Sequence, residues 1–148
     1  MAETSTRTQT AERLRTLLGR LNRYLRLAHP DTDLSPSQRE VLTAVARAGE
    51  IGSGDLAANE GLNPTMVSRI VAQLEAAGLV ARTSSEADAR VVRISPTARG
   101  RRLVQTMRDE RTDALARALE ALTPAQRRHL VEALPALEVI VETLREGR

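Results

Sequence analysis

The stretch Leu62–Gly100, LNPTMVSRIVAQLEAAGLVARTSSEADARVVRISPTARG, decides the fold of this 148-residue chain. Asn63 followed by Pro64 is a helix start: a capping side chain, then a residue whose missing N–H costs nothing at the first helical position. Val67, Ile70, Val71 and Leu74 share one face at about 100° per residue, which predicts a helix over 64–77, ended by Gly78. Leu79–Thr83 and Arg90–Ser95 are β-prone runs on either side of the polar segment Ser84–Ala89, so a hairpin follows. A helix and then a basic hairpin can touch two grooves of a duplex at once.

The cap-then-proline signature recurs at Ser35-Pro36, Ser95-Pro96 and Thr123-Pro124, and Gln38 and Gln126 complete capping boxes at two of these starts. The predicted helices therefore run over about 10–28, 36–48 (stopped by Gly49), 54–59 (capped by Ser53), 64–77, 96–121 and 124–145. Pro135 lies inside the last and is expected to kink it. The fold class is mainly α with a small β-hairpin wing.

Residues 53–74 have a helix-turn-helix register. Ala57 is small enough for two helices to cross closely, Gly61 takes the turn, and Val67 and Ile70 seat the second helix. The opposite face of that helix carries Thr65, Ser68, Arg69 and Ala72, short or Arg-bearing side chains that fit a major groove. Arg69 is suited to bidentate pairing with guanine, and Thr65 and Ser68 to base edges or phosphate. The plainer reading is a solvated amphipathic helix; the preceding Ala57/Gly61 turn favours recognition.

In the hairpin, Asp88 precedes Arg90 by two residues and can hold its guanidinium extended toward a narrow minor groove. The alternative is a surface ion pair of little energetic consequence. Arg82 and Arg93 flank the hairpin as expected phosphate contacts. Ser37, Gln38 and Ser53 lie at helix N-termini, where phosphate binding and simple capping are both physically easy.

Charge supports the same region. Residues 62–102 carry seven Arg against three acids, whereas 36–61 carry two Arg against four. A local basic excess is the footprint of phosphate neutralisation. All 22 basic residues are Arg, which base composition explains; their clustering it does not.

Other functions find little support. Without Cys there is no disulfide, thiolate metal site or thiol redox sensing. The two His have no partner constellation, and neither a Gly-rich phosphate loop nor metal-ligand spacing occurs, so no enzyme, cofactor or metal is expected. One Tyr with no Phe or Trp cannot supply stacking platforms for single-stranded nucleic acid. No apolar run approaches membrane length and no signal sequence opens the chain, so a cytoplasmic protein is expected.

Three apolar rows lie near the chain ends: Leu14, Leu18, Leu21 and Leu25; Leu103, Met107, Ala114, Leu115, Ala118, Leu119 and Leu122; and Leu130, Leu134, Leu137, Ile140, Val141 and Leu144. They look under-supplied with partners within one chain, which predicts a homodimer, the plainer reading being an intrachain three-helix pack.

The segment Gly78-Leu79-Val80-Ala81-Arg82, the wing Ser85-Glu86-Ala87-Asp88-Ala89-Arg90, then Ile94-Ser95 and Gly100, resemble the winged helix-turn-helix of the MarR family of bacterial transcriptional regulators. That family has "GLV-x-R", a wing Asp-x-x-Asp-x-Arg and "LT-x-x-G". Asp88 and Arg90 match, and Ser85 replaces the first wing Asp. The resemblance implies an N-terminal dimerisation helix (1–34), a winged helix-turn-helix DNA-binding domain (35–95) and C-terminal dimerisation helices (96–148).

It further implies a homodimer on a palindromic operator in double-stranded DNA. The function expected is a repressor released by a small aromatic or phenolic effector, with Tyr24 and His29 near a possible effector pocket. The competing reading is a winged-helix protein-interaction module without specific DNA binding.

Overall fold

The computed structural model describes residues 2–27, 32–84 and 92–147. The elements are α1 (Ala2–Leu27), α2 (Pro36–Ala48), β1 (Ile51–Gly52), α3 (Ser53–Glu60), α4 (Pro64–Ala76), β2 (Val80–Ser84), β3 (Val92–Pro96), α5 (Ala98–Glu120) and α6 (Pro124–Glu146). The chain divides into two compact units, residues 29–110 and residues 1–28 with 111–148.

Of the four predicted cap-then-proline starts, three are present. Ser35 accepts from Gln38 N and Thr123 from Gln126 N, each with the reciprocal bond of a capping box, and Asn63 accepts from Thr65 N. The fourth is corrected: Ser95 and Pro96 end β3, where Pro96 pairs with Val80. The helix instead begins after Thr97, whose Oγ1 accepts from Gly100 N at 3.0 Å. Pro is tolerated at a strand terminus, and the ladder with β2 claims these two residues before the helix can.

A second correction concerns Ser53, which is the first helical residue of α3; Gly52 occupies the capping position, with no side-chain cap bond. Gly52 is also the last residue of β1, whose pairing with Arg93 holds it extended. α1 starts at Ala2, earlier than about residue 10, and α6 continues as α-helix through Pro135.

In the 29–110 unit, the hairpin β2–β3 is joined by β1 in a three-stranded antiparallel sheet of order β1-β3-β2. The two-residue β1 pairs Ile51 with Ile94; so short a strand leaves no periodic signal in sequence. Among the described residues the core is apolar, built on Val41, Leu42, Val45, Leu56, Val67, Val71, Leu74 and Ile94, all fully buried. Val104 and Met107 of α5 are also buried in it, with Leu103 packed against it. The first part of α5 thus belongs to this unit rather than to the terminal row in which Leu103 and Met107 were expected.

In the other unit, α6 buries none of its residues. Val131, Val139 and Leu144 are 60%, 66% and 69% exposed, and Leu17, Leu18 and Leu21 of α1 are exposed as well. Among the described residues, no helix is long and apolar enough to cross a membrane.

Candidate nucleic-acid interface

α3 and α4 form the expected helix-turn-helix. Ala57 is buried where the helices approach, and Gly61 takes a left-handed φ of 62° in the turn. Leu62 N donates to Ala57 O and Gly61 N to Ala58 O, the paired bonds that close a helix at a glycine. α4 then turns its apolar face inward: Val67, Ile70, Val71 and Leu74 are all buried. Thr65, Ser68, Arg69 and Ala72 stand exposed on the other side. Arg69 has neither an ion-pair nor a hydrogen-bond partner among the described residues, so its guanidinium is available to an external acceptor.

α4 ends in the same kind of closure. Leu79 N donates to Leu74 O at 2.9 Å and Gly78 N to Glu75 O at 2.8 Å, with Gly78 at φ 69°. The start of α5 grips this turn. Thr97 N donates to Leu79 O at 3.0 Å, Thr97 Oγ1 to Gly78 O at 2.7 Å, and Arg99 Nη1 to Ala77 O at 3.1 Å. The recognition helix is therefore held at its C-terminal end by α5.

Arg82 has a different setting from the one expected. Its Nη2 donates to Ser68 O at 3.0 Å, and its Nε lies 3.5 Å from Glu75 Oε2. The guanidinium ties β2 to the flank of α4, so it braces the helix from the wing side. Arg93 remains half-exposed, with Glu50 Oε1 at 4.0 Å. Ser37 and Ser53 are half-buried near the starts of α2 and α3. Asp88 and Arg90, with Ser85 and His29, lie outside the described residues. Tyr24 is 61% exposed on α1.

Gln38 does more than cap. Its Oε1 accepts from Ser35 N at 2.6 Å, and its Nε2 donates to Gln73 Oε1 on α4 at 3.0 Å. Sequence reasoning did not single out Gln73, which is exposed on α4. It follows Arg69 by four positions, so the helical wheel placed it beside that residue on the exposed side.

A cavity of about 430 Å³ lies in the 29–110 unit, lined by Leu34, Ala77, Leu79, Leu103, Arg99, Arg102, Thr106, Thr32 and Asp33. Thr32 Oγ1 is buried without a hydrogen-bond partner among the described residues.

Comparison with known proteins agrees with this geometry. The MarR family model matches residues 34–92. An HTH-type transcriptional regulator of Mycobacterium bovis is 33% identical over 123 residues, spanning 83% of this chain and 86% of its own. The crystal structure of a transcriptional regulator protein from Pseudomonas aeruginosa superposes with a TM-score of 0.79 at 30% identity, covering 90% of this chain and 95% of that one. BpsR of Bordetella bronchiseptica, whose structure concerns regulation of its DNA binding by 6-hydroxynicotinic acid, gives a TM-score of 0.59 at 25% identity, with 88% and 98% covered. By its helix-turn-helix, its wing strands and these likenesses, the chain belongs to the MarR family of DNA-binding transcriptional regulators.

Proposed function

We propose that the protein is a homodimeric repressor that binds a palindromic promoter site and leaves it when a small aromatic anion binds. The observation that carries the DNA reading is α4 itself: a fully seated apolar face beneath exposed Thr65, Ser68 and Arg69, the last without a partner among the described residues. Arg69 reads a guanine edge in the major groove, and Arg90, braced by Asp88, enters the minor groove. Arg93 contacts phosphate, with Ser37 and Ser53 as further backbone contacts.

Dimerisation through the terminal helices is supported by α6, which buries none of its residues while exposing Leu130, Val131, Leu134, Val139, Ile140, Val141 and Leu144. An apolar surface of that extent on a single chain is characteristic of an interface. Two recognition helices related by a two-fold axis then meet half-sites roughly 34–36 Å apart.

Release is supported by the cavity beside the end of α4. Arg99 and Arg102 supply positive charge among Leu34, Ala77, Leu79 and Leu103, and the buried Thr32 hydroxyl lacks a partner among the described residues. That lining suits a flat carboxylate with an apolar body, the chemistry of the 6-hydroxynicotinic acid named for BpsR. A carboxylate on Arg99 competes with the Ala77 carbonyl for its guanidinium and loosens the grip of α5 on the recognition helix.

The test is selection of bound duplexes from genomic fragments by the full chain, with mass measured by sedimentation. A dimer on a two-fold-symmetric site, weakened and relaxed in base preference by Arg69→Ala, is the expected result. A monomer with no preferred sequence at low salt overturns the proposal. For the effector, 6-hydroxynicotinate and benzoate are titrated against the duplex complex, and Arg102→Ala is expected to abolish any release.

A further inference from the structure

The amide of Gln73 reaches the exposed face of the recognition helix with its polarity already set. Ser35 N is a donor, so the Gln38 group 2.6 Å from it must be the carbonyl oxygen. The Gln38 NH₂ therefore points the other way, and what it meets at 3.0 Å on Gln73 must be an acceptor. Gln73 then has its NH₂ left over. An amide is ambiguous in shape, but the backbone N–H at the start of α2 removes that ambiguity two links further on.

Resting on the reading that α4 faces the duplex, we infer that Gln73 is a specificity-determining residue that turns its N–H donors to the duplex while its carbonyl is drawn toward α2, and that Gln38 is the positioning residue imposing this. Gln ordinarily pairs with adenine through one donor and one acceptor together. Here the carbonyl is turned toward Gln38 with one of its two lone pairs taken, so adenine would have to share an acceptor already directed to α2, and that pairing is disfavoured at Gln73. Its partner is a hydrogen-bond acceptor of the duplex, either a phosphate oxygen or the acceptor edge of guanine or thymine. Gln73 is exposed and four residues beyond Arg69, so the two side chains project from adjacent turns of one face.

The full chain is used to select duplexes from a randomised pool, and affinities are then measured for Gln73→Met, Gln38→Ala, the double variant and Arg69→Ala. Gln73→Met is expected to weaken binding to the parent's best duplex roughly tenfold, the usual worth of a lost hydrogen bond that leaves its partner unmet. Gln38→Ala is expected to weaken it less, because Gln73 stays but is free to turn over.

Where the acceptor is a base, Gln38→Ala raises the preference for adenine at one position of each half-site. Where it is phosphate, both variants weaken all sequences alike and leave the preferences as they were. In the Gln73→Met background, Gln38→Ala is expected to add nothing, since it acts through Gln73 alone. Additive losses, or variants that bind like the parent while Arg69→Ala does not, overturn the inference and leave the recognition helix standing. If Arg69→Ala is also without effect, it is the DNA-facing role of α4 that fails.

Discussion

Replacing Gly100 with Ala probes how closely α5 is seated on the turn that ends the recognition helix. A Cβ at this position overlaps the carbonyl oxygen of Leu79, sits 3.0 Å from its carbonyl carbon and comes within 3.4 Å of Leu42 Cδ1. The first two obstacles are backbone, so no side-chain rotation relieves them. The Leu79 carbonyl is also held in place, accepting from Thr97 N at 3.0 Å, while the Thr97 hydroxyl beside it donates to the neighbouring Gly78 carbonyl at 2.7 Å. Relief requires α5 to lift away, straining those bonds and opening the contact with Leu42.

Overpacking of this kind costs about 1–3 kcal/mol, and a weakened hydrogen bond adds roughly 1 kcal/mol. Ala returns up to about 1 kcal/mol in helix propensity, less so near a helix start. The expected net loss is roughly 2 kcal/mol, dominated by the overlap. Urea denaturation followed by far-UV circular dichroism, at one fixed protein concentration, measures it.

Gly54→Ala in α3 is the control. Nothing lies within 4 Å of a Cβ at Gly54, so the same substitution is expected to be neutral or to stabilise by up to about 1 kcal/mol. If Gly100→Ala matches the parent to within about 0.5 kcal/mol, a spread typical of surface substitutions, then the close seating of α5 is refuted.

Four further outcomes are expected. Leu74→Ala removes a fully buried side chain from the base of α4 and is expected to cost about 2–5 kcal/mol in the same denaturation measurement. Arg82→Ala breaks the bond to Ser68 O and is expected to destabilise by about 1 kcal/mol, with the Glu75 pair contributing little. Arg93→Ala is expected to leave stability unchanged while weakening duplex binding; equal stability for both variants would return Arg82 to the role of a phosphate contact. Arg90→Ala is expected to weaken binding to every duplex and preserve fold and mass, as read by gel shift at matched salt. Affinity equal to the parent's would remove Arg90 from the minor groove.

Much of the winged helix was readable from residues a few positions apart. The caps at Ser35, Asn63 and Thr123 depend on side chains meeting backbone N–H groups within the next three residues. The inward face of α4 depends on the helical period alone, and its four apolar residues are buried as the period requires. The same logic misplaced the start of α5. Ser95-Pro96 and Thr97 are all locally competent to begin a helix, and the ladder of β3 with β2 selects the last.

The chemistry of single residues and of one helical turn sufficed for the helix-turn-helix, the hairpin and the exposed Arg69, because those interactions close within a few positions of the chain. The uses of Arg82, Gln38 and Gln73 were settled only when separate elements met: Arg82 reaches Ser68 across 14 positions and Gln38 reaches Gln73 across 35. An arginine or an amide can cap, bridge or face solvent at nearly the same local free energy. Which of these it does depends on the partner that packing brings within about 3 Å, a distance that no periodicity along the chain encodes.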